Sequence, residues 1–192
     1  MRLFVGVELD APLRTSAAAA IALLRRAVEE RAPDVQIRWL PIANLHLTLA
    51  FIGEVQDDMS RRVSASLSEG LAVSSFELSL AGAGAFPPSG PLRVVWIGVS
   101  DGESSLRRLQ ADIVARLSSL GLAFDDRAYS PHLTVARLKG ARGPGARAVR
   151  EALRGVGSQL GPQRVKAVTL FRSRVSSAGS TYDVLMRVPL QG

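Results

Sequence analysis

The chain has 192 residues, 47% of them hydrophobic and 21% charged, with a mean hydropathy of +0.16. That is about one to one and a half ordinary domains, and the composition excludes disorder, collagen, coiled coil and a disulfide scaffold. With no cysteine there is no disulfide, no thiolate metal site and no cysteine nucleophile. No apolar stretch approaches the ~18 residues of a membrane helix, and the opening residues 1–7 are too short for the apolar core of a signal peptide. A cytoplasmic protein is expected. The net charge is +7, and arginine supplies 22 of the 24 basic residues. Planar guanidinium forks suit phosphate-bearing partners. The same arginine bias, beside so much Ala and Gly, is equally what genome composition alone would produce.

In chain order, residues 3–7 alternate as a strand. Residues 11–31 place apolar side chains at helical spacing (Ile21, Leu24, Val28) and predict a long amphipathic helix. An extended segment at 36–40 stops at Pro41, and a second strand covers 45–52, ending at Gly53. Asp57 suits the N-cap of a helix reaching about residue 71. Residues 76–80 alternate as a strand, and the Gly- and Pro-rich segment 82–91 reads as a long turn. A β-branched strand at 93–99 follows, then a helix to about 120 capped by Asp101 or Ser104. Pro131 introduces a strand at 132–138. Residues 139–145 read as a loop and 146–154 as a short helix, before a closing strand pair at 165–172 and 181–188 around a turn at 176–180. No disordered linker divides residues 1–192, so one α+β unit of two similar lobes is expected.

The chain's two histidines stand in matching contexts: His46-Leu47-Thr48-Leu49 and His132-Leu133-Thr134-Val135. At this chain's leucine and threonine content, a Leu-Thr pair follows a given His about once in 300 by chance, and follows both about once in 10⁵. Strand alternation puts His and Thr of each motif on one face and the aliphatic residues on the other. Two such segments across a cleft supply two imidazoles and two hydroxyls around one small anionic group. Imidazoles titrate near neutrality, so one can act as base while the other acts as acid, which suits in-line attack at phosphorus. The threonine hydroxyls would hold non-bridging oxygens as charge develops. A single strand histidine is more often a hydrogen-bonded structural residue than a catalyst; its duplication with the same polar partner is what packing does not explain. A metal site is not indicated, because two imidazoles without cysteine, His-x-His or His-Glu-x-x-His leave zinc short of ligands.

These motifs, with Arg2-Leu3-Phe4-Val5-Gly6-Val7, Arg38-Trp39, Asn44-Leu45 before and Ala50-Phe51-Ile52-Gly53-Glu54-Val55 after the first, Gly84-Ala85-Phe86-Pro87, Val94-Val95-Trp96-Ile97-Gly98-Val99, Pro131 before and Ala136-Arg137 after the second, and Phe171-Arg172-Ser173 with Gly179 and Tyr182, resemble the 2H phosphoesterase superfamily. Within it the likeness is to LigT-like RNA 2′,3′-cyclic phosphodiesterases, the 2′-5′ RNA ligase family, and it covers essentially the whole chain. The resemblance implies a bilobal α+β fold with pseudo-two-fold symmetry, two antiparallel sheets flanking a central cleft, and helices outside. It implies hydrolysis of RNA 2′,3′-cyclic phosphate ends to 2′-phosphomonoesters without metal or cofactor. Carried over residue by residue, His46 is the proton donor and His132 the proton acceptor, with Thr48 and Thr134 on the phosphate. The expected partner is RNA with such ends, tRNA fragments among them, acted on by a monomer with no membrane association.

The resemblance also places Arg137 near the phosphate. Five residues past His132, regular alternation would put it on the opposite face, so only a bulge or the strand end would bring it to the cleft. Phe51 holds the equivalent position in the first half, where it could stack on a base, although a core phenylalanine is the commoner role. Competing readings are the joining of a 5′-hydroxyl to a 2′,3′-cyclic phosphate, a nucleotide- or RNA-binding module with little turnover, and a phosphodiesterase for ADP-ribose cyclic phosphate. Both motifs are intact, which speaks against the binding module, and the arginine surplus favours RNA over the small nucleotide.

Overall fold

The computed structural model describes residues 1–154, 159–176 and 179–192. Along the chain it forms β1 (Arg2–Glu8), α1 (Ala11–Arg31), β2 (Ile37–Trp39), a 3-10 turn (Ile42–Asn44), β3 (His46–Glu54), α2 (Asp57–Ser68), β4 (Phe76–Phe86), β5 (Leu92–Asp101), α3 (Glu103–Ser118), β6 (His132–Ala141), α4 (Gly143–Leu153), β7 (Leu160–Val165), β8 (Ala167–Ser176) and β9 (Gly179–Pro189). The long first helix follows from its sequence. Asp10 caps it by accepting the Leu13 N–H at 2.8 Å, Pro12 sits in the first turn where no N–H is needed, and Leu13, Ala17, Ile21, Leu24 and Val28 form one buried stripe. In α3 the stripe is Leu106, Leu109, Ile113 and Leu117.

The strands run in the order β7-β4-β5-β6-β3-β1-β8-β9, with β2 added to β6 beside β3. This is two four-stranded lobes, β7-β4-β5-β6 and β3-β1-β8-β9. They join as one nine-stranded sheet through a single antiparallel residue pair, Leu47 with Leu133. Each lobe borrows from the other half of the sequence: β4 pairs with β5 in one, and β8, with β9 beyond it, pairs with β1 in the other. The pseudo-two-fold axis therefore passes between the two His-Leu-Thr motifs, one per lobe. The helices cover the faces where Leu47, Leu49, Leu133 and Val135 are buried, which leaves the histidine faces to the cleft.

Both motif strands carry the same irregularity. In the β1–β3 ladder, Val5 pairs with Ala50 and Gly6 with Thr48, so Leu49 is skipped. In the β5–β6 ladder, Val95 pairs with Ala136 and Trp96 with Thr134, so Val135 is skipped. Each is a β-bulge that buries two successive residues, Leu49-Ala50 and Val135-Ala136, and reverses the alternation beyond it.

Several sequence expectations need correction. Asp57 does not cap α2; the cap position is Gln56, and Asp57 and Asp58 lie in the first turn, where carboxylates complement the helix dipole. Neither Asp101 nor Ser104 caps α3. Asp101 ends β5, and Gly102 turns the chain at φ +85°, a left-handed conformation that glycine adopts without strain. The long turn expected at 82–91 shrinks to 87–91, because β4 runs on through Gly82 and Gly84 to Phe86, with a register shift absorbed between Ala81 and Ala83. The Trp96 side chain lies over Gly84, so the missing side chain there serves ring packing rather than a turn. Likewise β6 continues through Lys139 and Gly140 to Ala141, and α4 begins at Gly143. Val165 ends β7, a strand with no strong alternation in sequence. Residues 177 and 178 of the expected 176–180 turn lie outside the described residues.

Gly6 lets β1 approach the first motif closely: a Cβ there would stand 2.7 Å from the Leu47 carbonyl oxygen. Gly6→Ala is therefore expected to destabilise the protein by about 1–3 kcal/mol, the usual cost of overpacking. Urea unfolding measures it; an unchanged midpoint would mean that β3 can give way without cost.

Candidate active site

His46 opens β3 directly after the 3-10 turn, and His132 opens β6 directly after Pro131. Each ring is fixed in the same way. Nδ1 of His46 lies 2.8 Å from the Asn44 carbonyl oxygen, and Nδ1 of His132 lies 2.7 Å from that of Ser130. A carbonyl oxygen only accepts, so Nδ1–H is the donor in both cases and each neutral ring keeps its lone pair on Nε2, away from the backbone. The turns carrying these carbonyls are themselves tied down. The Asn44 side-chain amide donates to the Ser180 carbonyl at 2.6 Å, and the Tyr129 hydroxyl donates to the Thr48 carbonyl at 2.9 Å. Arg107 donates to the Tyr129 carbonyl. The Tyr129 bond links the segment before one motif to the backbone of the other. Burial pushes the Tyr129 phenol pKa up, so its proton stays in place for that bond.

Thr48 and Thr134 are half-buried on the histidine faces, while Leu47 and Leu133 are fully buried on the other. At the Leu47–Leu133 pair the two motifs approach antiparallel, with the His and Thr of each on the face opposite the buried leucines.

The paired bulges decide the positions of Arg137 and Phe51. Arg137 is exposed, the bulge that skips Val135 sets it on the face of His132 and Thr134, and its positive charge lowers the pKa of both histidines. Phe51, at the matching place in β3, is 50% exposed, which overturns the core role; the Arg2 guanidinium lies 4.9 Å from its ring centroid. Regular alternation fails for both because Val135 and Leu49 each add one unpaired residue.

Aromatic walls that spacing along the sequence did not single out surround the imidazoles. Phe4 packs on His46 with ring centroids 4.6 Å apart, and Tyr182 meets it edge-on at 5.1 Å. Phe171 stacks on Phe4. In the other lobe, Phe86 meets His132 edge-on at 5.1 Å and also packs on Trp96. They belong to the motif blocks that carry the family resemblance, but only the sheet shows them as neighbours of the histidines.

Burial is the main cause that lowers both imidazole pKa values below 6.5, opposed by the backbone hydrogen bonds to Asn44 and Ser130. Arg137 adds to the lowering for both, and His132 adds to it for His46. The cleft therefore concentrates two imidazoles, two hydroxyls and a guanidinium in a setting that disfavours extra positive charge until an anion enters. Among the described residues no three His, Asp or Glu side chains gather as a metal-ligand set, and no helix is long and apolar enough to cross a membrane.

Comparison with known proteins agrees with this architecture. A family model described as the 2′-5′ RNA ligase superfamily matches residues 16–175. A protein of Aeropyrum pernix named RNA 2′,3′-cyclic phosphodiesterase is 38% identical over 76% of this chain and 81% of its own length. One of the same name from Methanothermobacter thermautotrophicus is 35% identical over 95% of both. The crystal structure of Escherichia coli LigT complexed with 3′-AMP covers 100% of this chain and 98% of that one at a TM-score of 0.72 and 24% identity, a likeness of fold. With the family model spanning most of its length and paired His-Leu-Thr strands at its centre, the chain belongs to the 2′-5′ RNA ligase superfamily.

Proposed function

We propose that this protein hydrolyses the 2′,3′-cyclic phosphate ends of RNA to 2′-phosphomonoesters by paired imidazole catalysis without a metal ion. The observation that carries the reading is the symmetric fixing of two histidines, each with Nδ1 bonded to a backbone carbonyl and Nε2 left for chemistry. The names of the relatives support the substrate class. In this reading water attacks phosphorus in line with the P–O3′ bond. His132 Nε2 takes the proton of the water as the new P–O bond forms. His46, protonated at Nε2, gives its proton to O3′ as the P–O3′ bond breaks, and the P–O2′ bond remains. The hydroxyls of Thr48 and Thr134 and the Arg137 guanidinium hold the non-bridging oxygens. The anionic substrate opposes the depressed pKa values and so favours the protonated imidazole in the complex. With a 5′-hydroxyl oxygen in place of water, the same steps join two RNA ends through a 2′-5′ linkage.

Incubation with an oligonucleotide ending in a 2′,3′-cyclic phosphate, in EDTA, tests the reading. The expected product is a 2′-phosphate. A 3′-phosphate product, or activity abolished by EDTA and restored by zinc or magnesium, would overturn it. Replacing His46 or His132 by Ala should lower kcat about 10²–10⁴-fold, and the double variant should fall far short of the product of the two losses. A single variant with near-normal turnover would end the two-histidine mechanism.

The pH dependence follows from the direction of the shifts. The reaction needs one proton on the pair, and both imidazoles lie below 6.5. The bell-shaped profile of kcat/KM should therefore have its maximum on the acid side of pH 6.5, both limbs belonging to the pair. Arg137→Gln removes a positive charge that depresses both rings, so the maximum should move to higher pH while kcat/KM falls. A profile that stays in place would put Arg137 out of electrostatic reach.

Thr48→Val and Thr134→Val keep the strand shape but remove a donor to the anion. Each should cost about 1–3 kcal/mol in kcat/KM and leave the shape of the pH profile intact, as steady-state kinetics across pH would show.

A further inference from the structure

The basic residues are not spread evenly. Between positions 137 and 154 the chain carries Arg137, Lys139, Arg142, Arg147, Arg150 and Arg154 against a single acid, Glu151. Four of these arginines line one groove of about 430 Å³, between the turn at 87–91 and α4, closed on the other side by Gly90 and Pro91. Nine other arginines are paired with carboxylates. Arg142, Arg147 and Arg154 are exposed, and among the described residues they form no ion pair. They share the groove with one acid, Glu151, and the remaining excess of positive charge favours a polyanion.

The groove is structurally joined to the active site. The Arg150 guanidinium donates to the carbonyls of Pro87 and Pro88 at 3.1 and 2.9 Å, which docks the β4–β5 turn onto α4. Phe86, next in the chain, packs on His132. Along β6, Arg137 and Lys139 are exposed on one face between His132 and Arg142. At ~3.3 Å per strand residue, this basic track is roughly 30 Å long, room for several nucleotides. No aromatic side chain lines the groove, so it offers charge to phosphates and no platform for bases.

We propose that this groove binds the sugar–phosphate backbone of the RNA chain upstream of the terminal cyclic phosphate, without regard to sequence. The inference rests on the activity proposed above and adds a second, remote site to it: the cleft takes the 3′ end, and the body of the RNA leaves along β6 towards α4.

The test compares the wild type with Arg147→Glu/Arg154→Glu on two substrates, a nucleoside 2′,3′-cyclic phosphate and an RNA of about ten nucleotides with the same end. Both side chains are exposed, and circular dichroism checks that the variant is folded. At about 50 mM salt, KM for the longer RNA should rise at least ~10-fold with kcat unchanged, the mononucleotide should be unaffected, and the difference should shrink by about 200 mM. Arg147→Lys/Arg154→Lys should stay close to the wild type. Equal KM values for the longer RNA, or the same loss on both substrates, overturn the groove. So does a variant that loses binding only to phosphatidylserine vesicles, which would make the patch a membrane contact. If the wild type turns over neither substrate, the proposed activity fails instead. Fluorescence anisotropy with the labelled RNA then decides the groove by itself, a weakened Kd supporting it and an unchanged Kd overturning it.

Discussion

Among the described residues, Leu47 and Leu133 are the one residue pair at which the two lobes meet as hydrogen-bonded strands, and both side chains are fully buried. Because the pair is antiparallel, whatever follows or precedes one leucine faces its counterpart from the other half. The polar neighbours of each leucine point the opposite way, towards the cleft, and so meet across the axis. The proposed catalytic cluster is thus a by-product of how the core closes: the same alternation that buries two leucines sets two imidazoles and two hydroxyls on the other face. A sheet continuously paired between β3 and β6 would bring the strands together along their whole length. One pair lets them diverge, and the divergence is the cleft.

Within that cleft the chemistry balances two opposing demands. Aromatic packing around His46 and the backbone bonds at Nδ1 hold the rings rigid, which favours a defined geometry for proton transfer. The same burial disfavours the imidazolium form, and Arg137 disfavours it further. An empty site is therefore poorly charged on its histidines and positively charged at its arginine. In the proposed mechanism an entering phosphate opposes that preference, which would couple protonation of the donor to the presence of the group that needs the proton.

Much of this was legible from residue order. The span of α1 follows from its apolar stripe, and the motif strands follow from alternation. The repeated His-Leu-Thr triplet marks the centre of the fold. What periodicity misplaced has identifiable physical causes. Gly82 and Gly84 look like turn residues, yet they serve a bulge and a tryptophan ring inside β4, because an absent side chain has more than one use. Arg137 and Phe51 are misassigned by counting, since a bulge adds one residue that no local composition announces. The aromatic residues beside the histidines come from strands distant in sequence, and only pairing of those strands shows them as neighbours. The charge-rich segment after β6 reads as a loop because its glycines obscure a strand end and a helix start.

The crossed ownership of β4 and β8 has a bearing on how the chain is made. Residues 2–8 form an apolar strand whose second partner, residues 167–176, follows more than 150 residues later in the chain. During synthesis β4 stays unpaired until β5 follows, and one edge of β1 stays open until residues 167–176 emerge. The β1–β8 pairing closes a loop of more than 150 residues, and contacts of such long range slow folding. An open apolar edge during synthesis is a hazard for association between nascent chains. The net charge of +7 gives no protection during this interval, because residues 1–136 carry 13 arginines against 15 acidic residues and the positive excess arrives only with residues 137–192.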